Sequence, residues 1–503
     1  MEIKIEEGEY WWSGVVNRGH EMPYTCETTA FFDMNGGQEN DQFAPLMLSS
    51  KGRYVWSDTS YAGKIGGGCI RLEGNSGFEL SEGHGNLKGA YLAAMRKHFS
   101  FSGQMPDAAF WKAPQYNTWI ELGTDQEEER ILAYARQILA NGLVPGILMI
   151  DGGWQEDYGV FEFHGRKVPN PAGLVRELHK MGFKVMLWVS PIVSSAGPNY
   201  CSLSKKGYLV RDAEGKDAVR KWWSGYSCVL DFTNPEAVYW FHGQLAGLMK
   251  KYDVDGFKFD AGDRYFYEDS DQTWGDVSAR EMTRIFNQVG EAYDLNEFRA
   301  AWNFGGRKIV ARLHDKYHSW DSYGINTLIP HTVLQGLCGY AYCCPDMVGG
   351  GILDCFDKGK MLDEELFVRW AQANALMGMM QLSAAPWRVL GKETAALVVE
   401  AVKLHTRFGG YLYELAQHAS RTGEPVVRHM AYEFPEEGLE RVADQFMLGD
   451  TILAAPVLEK GAAYRKVILP QGRWKYRDGK VYNGGREVEI PVTMASIPYF
   501  ERE

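Results

Sequence analysis

The stretch GILMIDGGWQEDYGVFEFHGRKVPNPAGLVRELHKMGFKVMLWV, residues 146–189, decides the fold class of this chain. It opens with an apolar run that ends at Asp151 and closes with a second apolar run, KVMLWV (184–189). Between them, NPAGLVRELHKMG has the form of a helix, because Asn170 can cap it, Pro171 suits its first turn and a glycine closes it. Two buried strands joined by a helix predict a βαβ unit of a parallel sheet.

The same alternation of strands and helices continues on both sides of this unit. Helical patterns are found in DQEEERILAYARQILANG before it and in NPEAVYWFHGQLAGLMKKY after it. About eight such units in roughly 300 residues predict an α/β fold, the (β/α)8 TIM barrel. The candidate strands are TWIELG (118–123), GILMID (146–151), KVMLWV (184–189), GFKFD (256–260), FRAAWN (298–303), IVARLHD (309–315), YAYCC (340–344) and MMQLSAA (379–385).

The two ends of the chain have a different pattern. Before the barrel, short apolar runs such as GRYVWSD and GGGCIRLEG are interrupted by Gly, Ser and Asn, which is typical of β-hairpins. After it, short strands alternate with turn sequences such as PQG, DGK and NGG. We therefore expect a short β-rich region at 1–114 (a reduced β-sandwich), the barrel at 115–410 and an antiparallel β-sandwich domain at 411–503.

Composition excludes several classes of function. A net charge of −12 argues against nucleic acid and anionic membrane as partners, since both need a basic face. No apolar run reaches the length of a membrane span, and the N-terminus MEIKIEEGEY lacks the features of a secretory signal. The eight cysteines show no CxxC pair or zinc spacing, so we expect reduced thiols, no metal site and a cytoplasmic protein. The composition is compatible with a homo-oligomer and does not fix the oligomeric state.

The ends of the candidate strands carry carboxylates. Asp151, Asp260 and Asp315 end the second, fourth and sixth strands, and Asp346 follows the seventh. In a barrel these positions meet at one mouth, and a pair of carboxylates there suits glycoside hydrolysis. For any single one, a helix cap or a salt bridge is an equal alternative, and an aromatic ring can equally belong to the core. The indoles expected near the same rim are Trp154, Trp188, Trp302, Trp320 and, after the eighth strand, Trp387.

The segment DVDGFKFDAGD (253–263) resembles family 31 of the glycoside hydrolases, whose nucleophile lies in a strand-end motif of the form GFK-x-D-x-G-[DE]. The resemblance implies that Asp260 is the nucleophile and that Lys258, on the same side of the strand, contacts substrate. Asp263 occupies the position where the family usually has Glu. Further similar segments run in the same order over about residues 115 to 470. They imply that Asp151 binds a sugar hydroxyl and that Asp346, in GYAYCCPDMVGGG, binds sugar or orders the site.

The acid/base of this resemblance has two candidates. The family's motif has an Asp five residues before a Trp. HDKYHSWDSYGINTLIP has Asp315 five residues before Trp320, so the resemblance implies Asp315 as the acid/base, with Asp321 as the alternative. The family's usual Gly-Asp is replaced here by His314–Asp315. Arg299 resembles a family Arg that faces the sugar. Arg312 is a second candidate for that role, and a structural salt bridge is the alternative for either.

The resemblance also implies an activity. In MMQLSAAPW, Gln381 and Trp387 replace the His that touches sugar in typical family members, which resembles the subgroup of α-galactosidases and the myogenesis-regulating glycosidase. It implies a retaining, exo-acting α-glycoside hydrolase that needs no metal or organic cofactor and takes a small oligosaccharide or glycoside. An α-galactoside is favoured, with an α-glucoside, α-xyloside, sulfoquinovoside or N-acetylgalactosaminide left open. Other classes are a non-catalytic carbohydrate-binding barrel and an aldolase- or isomerase-like barrel that uses Lys258.

Overall fold

The computed structural model describes residues 1–36, 41–99, 101–357 and 361–503. Within these residues, eight short parallel strands form the predicted barrel: the first seven pair in sequence order, and the eighth pairs with the first. The gap between the seventh and eighth is bridged by Val348, whose N–H donates to the carbonyl of Gln381 at 2.8 Å. The barrel strands are Gln115–Asn117, Ile147–Ile150, Lys184–Val189, Gly256–Phe259, Asn296–Phe298, Val310–Arg312, Cys343–Cys344 and Gln381–Leu382.

The helices begin where the sequence supplies caps. Asn170 and Asn234 each accept a backbone N–H of the following first turn, and a proline follows each of them as the first helical residue. The helices of this part of the chain are Trp119–Leu122, Glu128–Ala140, Pro171–Lys180, Tyr200–Lys206, Pro235–Tyr252, Ala279–Glu291, Leu328–Leu337, Glu364–Asn374, Pro386–Val389 and Lys392–Thr422, with 3-10 turns at Arg264–Phe266, Ile325–Thr327 and Leu353–Phe356.

The prediction of the first strand at 118–123 was wrong. The strand is Gln115–Asn117, and Trp119–Leu122 is a single helical turn. Asn117 ends the strand because its side-chain oxygen accepts the N–H of Trp119 at 2.8 Å, which turns the chain out of the ladder. The short turn closes at Gly123, whose positive φ of 56° favours glycine.

The predicted fifth strand at 298–303 was also displaced. Asn296–Phe298 forms the barrel strand, whereas Ala301–Trp302 pairs in parallel with Gln42–Ser49 of the N-terminal region. One apolar run is therefore divided between two sheets, which periodicity alone cannot show. The sixth, seventh and eighth strands lie inside their predicted ranges but are two or three residues long.

The N-terminal region forms two sheets that pack on the barrel and share its hydrophobic core. Gln42, at the start of the central strand of one sheet, donates from Nε2 to the carbonyls of Arg299 and Arg312, so this region reaches the loops of the barrel mouth. Its elements are Glu2–Lys4, Trp11–Val15, Val16–Glu21 (3-10), Ala30–Asp33, Gln42–Ser49, Tyr54–Ser57, Tyr61–Gly66, Cys69–Gly74, Phe78–Ser81, and the helices Leu87–His98 and Ala109–Lys112.

The C-terminal region is antiparallel, with a core of its own that includes Met447, Trp474 and Phe500. The boundary expected at 410/411 lies inside the helix Lys392–Thr422, while the first barrel strand starts at Gln115, directly after the boundary expected at 114. The elements are Val427–Arg428, Met430–Glu433 (helix), Phe446–Leu448, Ile452–Ala454, Tyr464–Leu469, Arg473–Tyr476, Val481–Asn483, Arg486–Pro491 and Tyr499–Arg502.

The hairpin that follows the third barrel strand shapes the mouth of the barrel. Ile192–Ser194, Val219–Trp222 and Gly225–Val229 form a three-stranded antiparallel sheet outside the barrel. The tight turn after Trp222 contains Gly225 with φ 101°, and it leaves Trp223 at the tip of the hairpin. The eight cysteines are free thiols. Among the described helices, none combines the length and apolarity required to cross a bilayer.

Candidate active site

A cavity of about 660 Å³ opens at the carboxyl ends of the barrel strands. Asp151, Asp260 and Asp315 all line it, and each follows a different strand. The convergence of strand-end carboxylates is therefore present in the structure. Four further residues expected at the site also line this cavity: Trp188, Lys258, Asp263 and Arg299.

Asp260 is buried and surrounded by donors. Its Oδ1 accepts hydrogen bonds from Arg299 Nε at 2.8 Å and from the N–H of Ala261 at 2.8 Å, and its Oδ2 accepts from Trp188 Nε1 at 2.8 Å. Burial on its own raises the pKa of Asp260, but the charges of Arg299 and Lys258 and the bond from Trp188 outweigh it. They hold the pKa well below its usual range, so the carboxylate is ionised at neutral pH.

Two further ion pairs flank Asp260. Arg299 clamps Asp263 through both terminal nitrogens, at 3.1 and 2.6 Å, and so joins the two carboxylates. Lys258 Nζ lies 2.8 Å from Asp151 Oδ2, with both side chains buried. Burial lowers the pKa of Lys258, but the negative charges of Asp151, Asp260 and Glu297 together outweigh burial and raise the pKa above its ordinary value. The shorter Asp263, in place of the family's usual Glu, therefore still reaches the arginine.

Asp315 follows the sixth strand and is held by Arg312. Arg312 Nη1 donates to Asp315 Oδ1 at 2.9 Å and to Asp346 Oδ1 at 3.1 Å. About a third of the Asp315 side chain is exposed (34%), whereas the other two side chains are buried. Gly351, the last glycine of PDMVGGG, packs against this carboxylate, and a Cβ there would lie 2.7 Å from Asp315 Oδ1. Asp315 is thus a partly accessible carboxylate with a fixed orientation.

Asp346 and Arg312 lie beneath the cavity rather than in its wall. Asp346 accepts the N–H groups of Lys316 and Met347, each at 2.7 Å. Burial and the neighbouring charge of Asp315 raise the pKa of Asp346 above its usual range. Arg312 also faces the buried carboxylate of Glu297, with Nε and Oε1 3.4 Å apart. Both residues can orient Asp315, and the geometry does not place either of them against a sugar.

Asp321, the rival acid/base, lies away from the cavity. Its exposed carboxylate accepts the hydroxyl of Ser319 at 2.6 Å and the N–H of Tyr323 at 2.9 Å, and these bonds lower its pKa. This is the arrangement of a local turn, in which an Asp side chain replaces a backbone acceptor. Of the two candidates, Asp315 shares the cavity with Asp260.

Four of the five predicted indoles do not reach the cavity wall. Trp154 is buried against Phe163 and donates to the carbonyl of Trp188 at 2.8 Å. Trp302 belongs to the N-terminal sheet. Trp320 donates to Asp363 at 2.9 Å, and Trp387 donates to Gln137 at 2.8 Å on the outside of the barrel. The prediction that these four rings line the mouth of the barrel was therefore wrong. Of the five predicted indoles, Trp188 lines the cavity.

Most aromatic side chains of the cavity wall come from residues that the sequence pattern did not predict. They lie in the hairpin after the third strand and in the loops after the first, second and fourth strands, where no strand-end rule applies. The only signal for the hairpin is the pair of indoles in KWWSG (221–225), an apolar pair beside a turn. Besides Trp188, the Trp, Tyr and Phe side chains that line the cavity are Trp119, Tyr158, Trp222, Trp223, Tyr265 and Phe266.

Asp41, His314 and His331 each place one possible ligand atom within 4.8 Å of the others. His331 already has partners on both ring nitrogens, Lys316 Nζ and His20 Nδ1, each at 3.0 Å. Burial lowers the pKa of His331 well below its ordinary value. With both His331 nitrogens occupied, the cluster is better described as a hydrogen-bonded network than as a metal centre.

Two family models match this chain. The model described as "Glycosyl hydrolases family 31 TIM-barrel domain" matches residues 113–415, and the "Glycosyl hydrolase family 31 C-terminal domain" matches residues 423–503. The chain belongs to glycosyl hydrolase family 31. The resemblance inferred from GFKFDAGD and PDMVGGG is thereby confirmed.

Similar family 31 proteins carry glycosidase names. The myogenesis-regulating glycosidase of Mus musculus is 31% identical over 417 residues, which cover 81% of this chain and 58% of that protein. Alpha-glucosidase 2 of Bacillus thermoamyloliquefaciens is 24% identical over 81% of this chain and 54% of its own length. Alpha-xylosidase XylQ of Lactiplantibacillus pentosus is 28% identical over 75% of this chain and 53% of its own length. This chain thus spans little more than half the length of these relatives.

Solved family 31 structures share the fold. The Flavobacterium johnsoniae dextranase FjDex31A, complexed with glucose, superposes with a TM-score of 0.88 at 20% identity, over 100% of this chain and 66% of that one. An alpha-xylosidase from a soil metagenome, complexed with xylose, gives 0.86 at 20% identity, over 100% of this chain and 79% of that one. At this identity the likeness establishes the architecture of the barrel and its flanking regions.

Proposed function

We propose that this family 31 protein is a retaining, exo-acting α-glycoside hydrolase that removes a terminal α-linked sugar. The observation that carries the proposal is the pair formed by Asp260 and Asp315 in one cavity. Asp260 has a pKa held below its usual range, whereas Asp315 is partly exposed and accepts a hydrogen bond from Arg312. Two carboxylates in such different surroundings suit the different roles of nucleophile and acid/base.

In the first step, Asp260 attacks the anomeric carbon while the bond from that carbon to the leaving oxygen breaks. Asp315 gives its proton to this oxygen, so that a neutral alcohol departs and a covalent glycosyl-enzyme remains. In the second step, Asp315 takes a proton from water, and the resulting hydroxide displaces Asp260 from the anomeric carbon. Both inversions together retain the α configuration.

The surrounding charges have defined parts in this scheme. Arg299 and Lys258 keep Asp260 ionised, as their effect on its pKa indicates. Trp188 fixes Oδ2 of the nucleophile through its indole N–H. Asp151 and Lys258 form a buried pair at the cavity wall that can hold a sugar hydroxyl through charge-assisted hydrogen bonds. Asp263 acts through Arg299, which it holds in place.

An α-galactoside is the preferred substrate within this proposal, and a small glycoside or oligosaccharide is the preferred partner. The preference rests on the sequence likeness to the α-galactosidase subgroup at the eighth strand. Gln381 lies in the segment where typical family members have the histidine. Its Nε2 points into the barrel and donates to Gln115 Oε1 at 3.0 Å and to Glu297 Oε2 at 2.8 Å. The relatives named as α-glucosidase and α-xylosidase make the corresponding glucoside and xyloside the first alternatives.

The test is a panel of para-nitrophenyl α-glycosides assayed with the wild-type protein and with Asp260→Ala. We expect turnover of one glycoside, the galactoside first, and its loss in Asp260→Ala with the fold intact by circular dichroism. Asp321→Ala is the matched control, because it removes an exposed carboxylate outside the cavity. Near-wild-type activity of Asp260→Ala would refute the assignment. A protein that binds sugars but cleaves none of the panel would support a carbohydrate-binding barrel instead.

A further inference from the structure

His314 combines a fixed orientation with access to the cavity. Asp41 is buried directly before the strand Gln42–Ser49. Its Oδ1 accepts a hydrogen bond from the backbone N–H of His314 at 2.7 Å, and its Oδ2 lies 2.6 Å from the ring Nδ1. The His314 side chain keeps about a third of its surface exposed (32%) and lines the cavity beside Asp315. The N-terminal region thus fixes a side chain of the barrel mouth.

The contact with Asp41 determines what the ring can offer. A carboxylate beside Nδ1 favours the tautomer with the proton on Nδ1, which leaves Nε2 as the free nitrogen. In the described part of the chain, no side chain or backbone group forms a hydrogen bond with His314 Nε2. The nearby His331 does not compete for it, because its two nitrogens are occupied by Lys316 and His20. Nε2 is therefore available to a ligand in the cavity.

The position of His314 suggests which part of a ligand it meets. Asp315, the next residue, faces the leaving oxygen in the proposed mechanism, so a side chain beside it borders the departing group. Asp151, Lys258 and Trp188 cluster instead around the nucleophile.

We propose that His314 is a specificity-determining residue whose Nε2 accepts a hydrogen bond from a hydroxyl of the leaving-group sugar. This inference rests on the hydrolase function proposed above. It assigns a preference for a hydroxylated leaving group, meaning a second sugar, over an aryl group with no hydroxyl in reach. Asp41 is the positioning residue, since it acts through the histidine.

The test compares leaving groups at constant glycone, with His314→Asn and His314→Gln. Asparagine can keep the contact made by Nδ1 with Asp41 but has no atom at Nε2, whereas glutamine reaches the Nε2 position. We expect kcat/KM for melibiose to fall about fivefold to tenfold in His314→Asn, the size expected for a lost hydrogen bond. Turnover of para-nitrophenyl α-galactopyranoside should be almost unchanged, and His314→Gln should recover part of the loss.

A series of melibiose analogues, each lacking one hydroxyl of the leaving glucose, identifies the partner. The wild-type protein should lose activity with one analogue, and His314→Asn should show no further loss with that same analogue. Equal losses for the disaccharide and the nitrophenyl glycoside in His314→Asn would overturn the proposal, because they would show that His314 does not discriminate between the two leaving groups.

Failure of the underlying function would look different. The wild-type protein would then turn over neither substrate, and calorimetric binding of melibiose would replace the rate measurement. Weaker binding by His314→Asn than by the wild-type protein would still support the contact. Equal affinities, or no binding by either protein, would overturn it.

Discussion

Arg299 donates from Nε to Oδ1 of Asp260 at 2.8 Å, and both side chains are buried. The same guanidinium holds Asp263 with its two terminal nitrogens. One buried cation therefore contacts two carboxylates and offsets part of their negative charge. This contact explains how a buried aspartate stays ionised, as a nucleophile requires.

Replacing Arg299 with Gln should weaken the nucleophile in a pH-dependent way. Arg299 lowers the pKa of Asp260, so its removal raises that pKa. Activity depends on the ionised form, so the acid limb of the kcat/KM profile should move to higher pH. At neutral pH the loss of a charged hydrogen bond of about 2 kcal/mol predicts a fall of roughly thirtyfold. Arg299→Lys, which keeps the charge, is the control, and an unmoved acid limb in Arg299→Gln would contradict the account.

Replacing Asp315 with Ala should separate substrates by their leaving group. Hydrolysis of a disaccharide, which needs protonation of its leaving oxygen, should fall by about two to four orders of magnitude. A para-nitrophenyl glycoside has a better leaving group that needs less protonation, so the rate of its first step should fall less. If Asp321→Ala shows these effects and Asp315→Ala does not, the acid/base has been assigned to the wrong residue.

Replacing Gly351 with Ala should disturb Asp315 without unfolding the barrel. The new Cβ would lie 2.7 to 2.8 Å from the Asp315 side chain, so the carboxylate must move. A displacement of a catalytic group by about 1 Å can lower kcat about a hundredfold. Gly243→Ala is a suitable control, because open space surrounds that position on a barrel helix. Wild-type kcat in Gly351→Ala, with an unchanged melting temperature, would show that Asp315 is not sterically fixed there.

Replacing Trp223 with Ala should weaken substrate binding. Trp223 lines the cavity and is 57% exposed at the tip of its hairpin, so a sugar or aryl group can cover its ring. The loss of a stacking partner predicts an increase in KM of about threefold to tenfold with little change in stability. Trp274, 68% exposed and outside the cavity wall, is the matched control. An equal KM for both variants and the wild-type protein would remove Trp223 from the binding surface.

The barrel could be predicted from the sequence because its strands and helices follow a periodic pattern. Strand, cap and helix follow one another, and Asn170 and Asn234 cap their helices as predicted. The carboxylates were found for a related reason, since a residue that directly follows a parallel strand must lie at the mouth. Asp151 and Asp260 follow their strands without an intervening residue.

The aromatic rim of the cavity and the contacts between regions could not be predicted, because they depend on loop paths that have no periodic sequence pattern. Trp320 and Trp387 follow strands in sequence, but their loops turn them towards Asp363 and Gln137 outside the cavity. Trp222 and Trp223 enter the site from an inserted hairpin. The contact of Asp41 with His314 joins positions 273 residues apart. Contacts of that separation are set by packing between regions and leave no local pattern.

The central claim is that Asp260 becomes covalently linked to the sugar during turnover. The most direct measurement is mass spectrometry of proteolytic peptides after reaction with a slow fluorinated α-glycosyl fluoride of the hydrolysed sugar. We predict one added glycosyl group on the peptide that contains Asp260, located on that residue by fragmentation. A label on another carboxylate, or inactivation without any covalent label, would contradict the account.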